Sequence, residues 1–169
     1  MNSVLIIIVF AGTCSAVRKY EVPVPIPMMP DLDLKKLTGK WFPIAMVQYN
    51  KQKRPLFGYS MEPQEDGGLV FKVDYPWDGQ CLSKTVLVHP VKQAEFDSVD
   101  GWTTIHIVDT DYETYHTILF RTVRSGILQL FGRERTVSDE VKEKFKTLAK
   151  DMQFDPDAIV YVSENGKGN

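Results

Sequence analysis

Eight short segments between residues 39 and 131 alternate large apolar with small or polar residues, and turn signals separate them, which confines the chain to all-β architectures. The first begins at Gly39-Lys40-Trp41 and the second carries Phe57, Tyr59 and Met61. Leu69 to Tyr75, Gln80 to His89, Glu95 to Val99, Trp102 to Val108, Tyr115 to Thr122 and Gly126 to Phe131 complete the set. Glu65-Asp66-Gly67-Gly68 and Asp78-Gly79 are turns by composition, since glycine supplies the positive φ that tight turns need. Short strands following one another in this way form either a sandwich or an antiparallel up-and-down barrel.

A single helix is expected after the strands. Ser138 is placed to cap it, Asp139 and Glu140 suit its first turn, and Lys150 suits its end. Val141, Phe145, Leu148, Ala149 and Met152 form one apolar stripe, so the helix should pack on the outside of the sheet. A short ninth strand is expected at Ala158 to Val162.

The 169 residues are enough for one domain with a core of its own. A formal net charge of −2 with no basic block argues against nucleic acid as a partner. Residues 1–16 read as a signal peptide, with an apolar run from Val4 to Ala11 and small residues before Ser15-Ala16. That run is far short of the ~20 residues that span a bilayer, so the expected destination is extracellular rather than a membrane. Residues 17–30 follow as an extended arm, because the prolines at 23, 25, 27 and 30 fix φ and forbid helix. The domain proper is expected over residues 31–162, opening with a short helical turn at Asp31 to Leu37, and 163–169 as a polar tail.

Gly39 and Trp41 set a puzzle, because the smallest residue precedes the largest where a sheet begins. An eight-stranded barrel leaves room for one small ligand, and an aromatic plate can close one end. A cation stacked on that plate adds about 0.5–2 kcal/mol, and Arg133 in "LFGRER" is placed to supply it. Gly39 would let the preceding turn approach Trp41 with no Cβ in the way.

With these residues in view the chain resembles the lipocalins. Gly39-Lys40-Trp41 matches their first motif, Thr110-Asp111-Tyr112 their second, and Gly132-Arg133 their third, in order and at the family's spacing. The resemblance implies an eight-stranded antiparallel calyx with one C-terminal helix and a ninth strand, the three motifs gathered at its base. It implies structural rather than catalytic roles for Thr110, Asp111 and Tyr112, with the Asp111 carboxylate accepting backbone N–H groups across its turn.

Period-two reading gives the lining of such a cup as Phe57, Tyr59, Met61, Phe71, Val73, Val86, Ile105, Ile107, His116, Ile118, Phe120, Ile127, Gln129 and Phe131. A wall this apolar suits a small hydrophobic ligand, with His116 and Gln129 as the polar groups that orient it, or else these residues fill the barrel. No cofactor is expected, and His89, His106 and His116 have no metal-ligand spacing.

The family suggests a secreted carrier of odorants, pheromones, retinoids or fatty acids. Two alternatives are an isomerase acting on a prostaglandin and a binder of macromolecules through the open-end loops. The isomerases of the family use a cysteine on the second strand, whereas Cys81 falls on the fourth. Related lipocalins tie that fourth-strand cysteine to the tail, yet residues 163–169 contain none. Cys14 lies in the expected signal peptide, so Cys81 is expected as a free thiol in a monomer, or as the link in a weak dimer.

Overall fold

The protein is seen in a computed structural model that describes residues 19–50 and 57–162. The expected leader at 1–16 and tail at 163–169 lie outside the described residues. Of the two architectures open to eight alternating strands, the closed barrel is the one formed. Strands β1 (Gly39–Gln48), β2 (Tyr59–Pro63), β3 (Leu69–Trp77), β4 (Gln80–Lys92), β5 (Glu95–Ser98), β6 (Thr103–Thr110), β7 (Tyr115–Thr122) and β8 (Gly126–Gly132) pair in sequence order, all antiparallel. A short 3₁₀ turn at Leu34–Leu37, capped by the Asp33 carboxylate, leads into β1.

Closure depends on β1, which changes neighbours along its length. Gly39, Lys40 and Trp41 pair with Met61, Ser60 and Tyr59 of β2, whereas Phe42 to Gln48 pair with β8. The register slips between Pro43 and Ala45, where proline has no N–H to give to the ladder. The slip moves the inward parity of β1 from odd to even residues: Trp41 lies in the interior cluster, while Ala45 lies in the outer one. The short β9 (Val160–Tyr161) pairs with Ala45 and Met46, on the side of β1 that β2 does not cover.

The sheet separates two apolar clusters. Inside, Trp41, Met61, Leu69, Phe71, Ile107, Ile118 and Phe131 pack together with Leu37. Outside, α1 (Asp139–Asp151) sets Phe145 and Ala149 against Val47, Leu119, Leu128 and Leu130, as its apolar stripe requires. Ser138 caps this helix by accepting from the Val141 N–H. Residues 19–30 form no helix, and the arm is bound to the wall rather than merely leading in. The Tyr20 N–H bonds the Thr122 carbonyl at 2.8 Å, Lys19 Nζ reaches Asp97 Oδ1 at 2.6 Å, and Val22, Val24 and Ile26 pack on the outer cluster.

Phe145 is 2 % exposed, and truncating a buried phenylalanine leaves a cavity worth about 3–5 kcal/mol. Phe145→Ala should lose stability on that scale in denaturant unfolding while a probe inside the barrel binds as before, because the sheet lies between them.

Candidate functional site

The base of the barrel is built on Trp41, fully buried, with its indole N–H donating to the Leu37 carbonyl at 2.9 Å. The Arg133 guanidinium lies 3.6 Å from the centre of the Trp41 ring. Its Nη1 donates to the Thr38 carbonyl at 2.8 Å and its Nη2 to that of Lys36 at 2.9 Å, with longer contacts of 3.4 Å to Lys40 and Tyr112. One side chain thus satisfies carbonyls from the 3₁₀ turn, β1 and the β6–β7 turn, which a planar fork of five donors suits.

Gly39 has φ +106°, and a Cβ there would stand 3.2 Å from Arg133 Nη1. The group that glycine makes room for is therefore the guanidinium, not the preceding turn as the sequence led us to expect.

The β6–β7 turn is held by the second motif. The Asp111 carboxylate accepts from the N–H groups of Glu113, Thr114 and Tyr115. The carboxylate remains ionised below the usual range despite partial burial, held there by these donors and the Thr114 hydroxyl. Thr110 Oγ1 accepts from the Tyr112 N–H at 2.8 Å and donates to the Tyr115 carbonyl at 2.7 Å. Those bonds hold Tyr112 at φ 68°, and its phenol oxygen accepts from the Asp33 N–H at 3.1 Å.

His116, expected as a polar group facing the cavity, is instead part of this base. Its ring centre lies 4.0 Å from that of Trp41, and two groups as close as Arg133 and His116 cannot share one face of the indole. The indole lies between them. His116 Nε2 is hydrogen-bonded to the Tyr59 hydroxyl, and Tyr59 meets Phe131 edge-on at 4.7 Å. Burial drives the His116 pKa well below its ordinary value, helped by Arg133, and drives the Tyr59 phenol well above its own. Both are neutral across physiological pH.

Above the base is a cavity of about 250 Å³, continuing towards the rim in a wider space of about 400 Å³. Phe57, Tyr59, Phe71, Val73, Val86, Ile105, Phe120, Gln129 and Phe131 form the wall of the first space, and Ile127 joins Phe57, Phe120 and Gln129 around the second. Met61, Ile107 and Ile118 point inward but are packed into the base with His116, so none of the four lines either space. An eight-stranded barrel narrows towards its plugged end, so the same parity gives wall near the rim and filling near the floor.

Four wall residues were missed. Ser98 shares the parity of buried Phe96, and Thr103 shares that of Ile105 and Ile107, so alternation alone contained them. Thr122 follows Phe120 in the same way, whereas Met46 faces inward because of the bulge at Pro43. The polar members of the inner wall are Tyr59, Ser98, Thr103 and Gln129. Ser98 is engaged with Asp100 and the Thr103 N–H, and the Gln129 amide nitrogen makes one long hydrogen bond, to Met46 Sδ at 3.8 Å. Among the described residues no group of three or more His, Cys, Asp or Glu is arranged to hold a metal ion.

A closed up-and-down barrel, plugged by a stacked base and hollow above it, defines a calyx. The chain belongs to the lipocalin / cytosolic fatty-acid binding protein family, whose model matches residues 38–166. It is 28% identical over 167 residues to prostaglandin-H2 D-isomerase of Ovis aries, covering 89% of this chain and 87% of that one. It is 29% identical over 151 residues to epididymal secretory protein 4 of Zootoca vivipara, covering 85% and 86%. Over 146 residues it is 29% identical to major urinary protein 5 of Mus musculus, covering 79% and 80%. The family's members typically bind small hydrophobic molecules.

Two outcomes follow from the base. Arg133→Ala removes the stacked cation and leaves the Thr38 and Lys36 carbonyls without their donor, a loss of about 2–4 kcal/mol in unfolding free energy. Arg133→Lys should recover less than half of it, since an ammonium cannot reach carbonyls on both prongs. The second concerns acid. His116 has a native pKa below its unfolded value near 6.5, so below about pH 6.5 the unfolded chain binds a proton that the native one does not. Stability contributed by His116 is full above that pH and lost as pH falls, at about 1.4 kcal/mol per pH unit. In His116→Gln, whatever its stability at pH 8, the decline between pH 6.5 and 5 should be shallower by that amount in urea titrations.

Proposed function

We propose that this protein is a secreted, non-enzymatic carrier of one small hydrophobic molecule held in the calyx. The observation that carries the reading is the cavity of about 250 Å³ itself, walled by Phe57, Phe71, Val73, Val86, Ile105 and Phe120 above the packed floor. A pocket of this kind draws its affinity from apolar burial and its orientation from a few polar groups. Of the two orienting groups expected, His116 and Gln129, Gln129 is the one that faces the cavity. A ligand with one hydroxyl or carbonyl, such as an odorant, pheromone, retinoid or fatty acid derivative, fits that wall.

The isomerase reading draws on the names of several relatives. Against it stands the position of Cys81. Val86 faces the cavity and Val88 the interior cluster, so strict alternation turns the odd-numbered Cys81 outward, and its side chain is exposed. A thiol on the outer surface has no access to a ligand in the cup. Relatives named as secretory and urinary proteins, together with the apolar leader sequence at 4–11, support export.

Displacement of a fluorescent apolar probe tests the carrier reading. Binding should be micromolar or tighter, about −8 kcal/mol, and Phe120→Asp should abolish it by setting a charge in the wall. Gln129→Leu should keep the probe while losing preference for hydroxylated over hydrocarbon competitors. Cys81→Ser should leave binding unchanged, and neither protein should turn over prostaglandin H2. Turnover that disappears with Cys81→Ser would replace the carrier reading with the enzymatic one.

A further inference from the structure

Outside the barrel, the N-terminal arm bridges the wall formed by β5, β6 and β7 and forms one side of a second, open cavity of about 330 Å³. Its inner side is His106, which alternates with the inward-facing Ile105 and Ile107 and so points away from the calyx. His106 is 1% exposed, yet among the described residues neither ring nitrogen has a hydrogen-bond partner. Beside it Arg121 has a buried Nε–H that is also without a partner. Leu119 and Glu95 are the ladder partners of His106, and Arg121 lies two residues along β7 from Leu119, a diagonal spacing that long side chains span. The opposite side is aliphatic, from Val22, Val24 and Ile26 of the arm.

Buried polar atoms with nothing to bind are uncommon, and three of them, on two side chains of one cavity wall, mark a place where a ligand supplies missing partners. We propose that this cavity is a second binding site, which takes a small uncharged amphiphile with a hydroxyl head and a short aliphatic body.

The head group follows from the donors and acceptors present. Burial drives the His106 pKa down to about 4, with Arg121 and Lys92 acting in the same direction and Glu95 and Asp97 against it, so the ring is neutral at pH 7. Glu95 Oε2 lies 3.5 Å from Nδ1 and favours the tautomer with the proton on that nitrogen. Nε2 is then a bare acceptor, and Arg121 Nε–H a bare donor. A hydroxyl answers both, donating to one and accepting from the other. Charged heads fit less well: Lys92 and Arg121 are matched by Glu21 and Glu95 around the cavity, and Lys92 already holds Glu95 at 3.0 Å. The volume is at the lower end of the roughly 300–1,000 Å³ usual for ligand pockets, which limits the body to a short chain.

The site is tested by following the imidazole nitrogens of His106 by long-range ¹H–¹⁵N NMR at pH 7 while hexan-1-ol is added. A saturable shift of His106 Nε2 is expected, undiminished in Phe120→Asp, whose calyx is disabled. The ether 1-methoxypentane, which has the same number of heavy atoms but no donor, should bind at least tenfold more weakly, as should hexanoate and hexylammonium. Arg121→Met should weaken the alcohol about tenfold, and isothermal titration of His106→Phe and His106→Gln in the Phe120→Asp background should show no binding. Absence of a saturable His106 shift in the wild-type protein overturns the site, as does undiminished binding in both His106 variants. Tighter binding of hexanoate or hexylammonium than of the alcohol overturns the uncharged head.

Discussion

The stack of Arg133 on Trp41 is the contact on which the barrel depends. A sheet of eight strands becomes a cup only if its first and last strands meet and one end is sealed. Arg133, just past the end of β8, does both, because its two terminal nitrogens bind carbonyls on the segment that begins β1 while its flat face covers the indole. Gly39 and the left-handed Tyr112 are the backbone concessions that let the guanidinium sit there. Each of the three sequence motifs is thus a part of one joint, brought together from positions far apart in the chain.

That joint divides the interior into two regions with different tasks. Near the base, side chains fill the space, and the neutral His116–Tyr59 pair shares a hydrogen bond, while His116 Nδ1 has no partner among the described residues. Near the rim, the same alternation of residues leaves a hollow. Stability and binding therefore draw on separate residues of the same strands. The outer cluster under α1 adds a second source of stability that touches neither region, since the sheet lies between.

Much of this was legible in the sequence. Period-two alternation gave the strands, the cap and stripe gave the helix, and the spacing of Gly39, Trp41 and Arg133 gave the base. Alternation assigns a side chain to a face but carries no information on depth, so it could not separate Phe120, on the wall, from Ile118, in the filling. His116 was misplaced for that reason. Met46 was missed because a single bulge reverses the parity of everything after Pro43, and proline only marks where such a slip is permitted. The arm's bonds to Asp97, Thr104 and Thr122 join residues with no periodic relation, and no pattern in the prolines announces them.

The ninth strand has a consequence for how these molecules behave in a crowd. Beyond Trp41 the side of β1 opposite β8 has parted from β2, and β9 occupies it through Ala45 and Met46. Without that cover, the backbone there would present open amides and carbonyls, the template on which a strand from a neighbouring molecule adds itself. Two residues near the end of the fold thus act as a guard against chain-to-chain sheet growth. A protease that removed them would leave calyx and base untouched, yet give the barrel an adhesive seam.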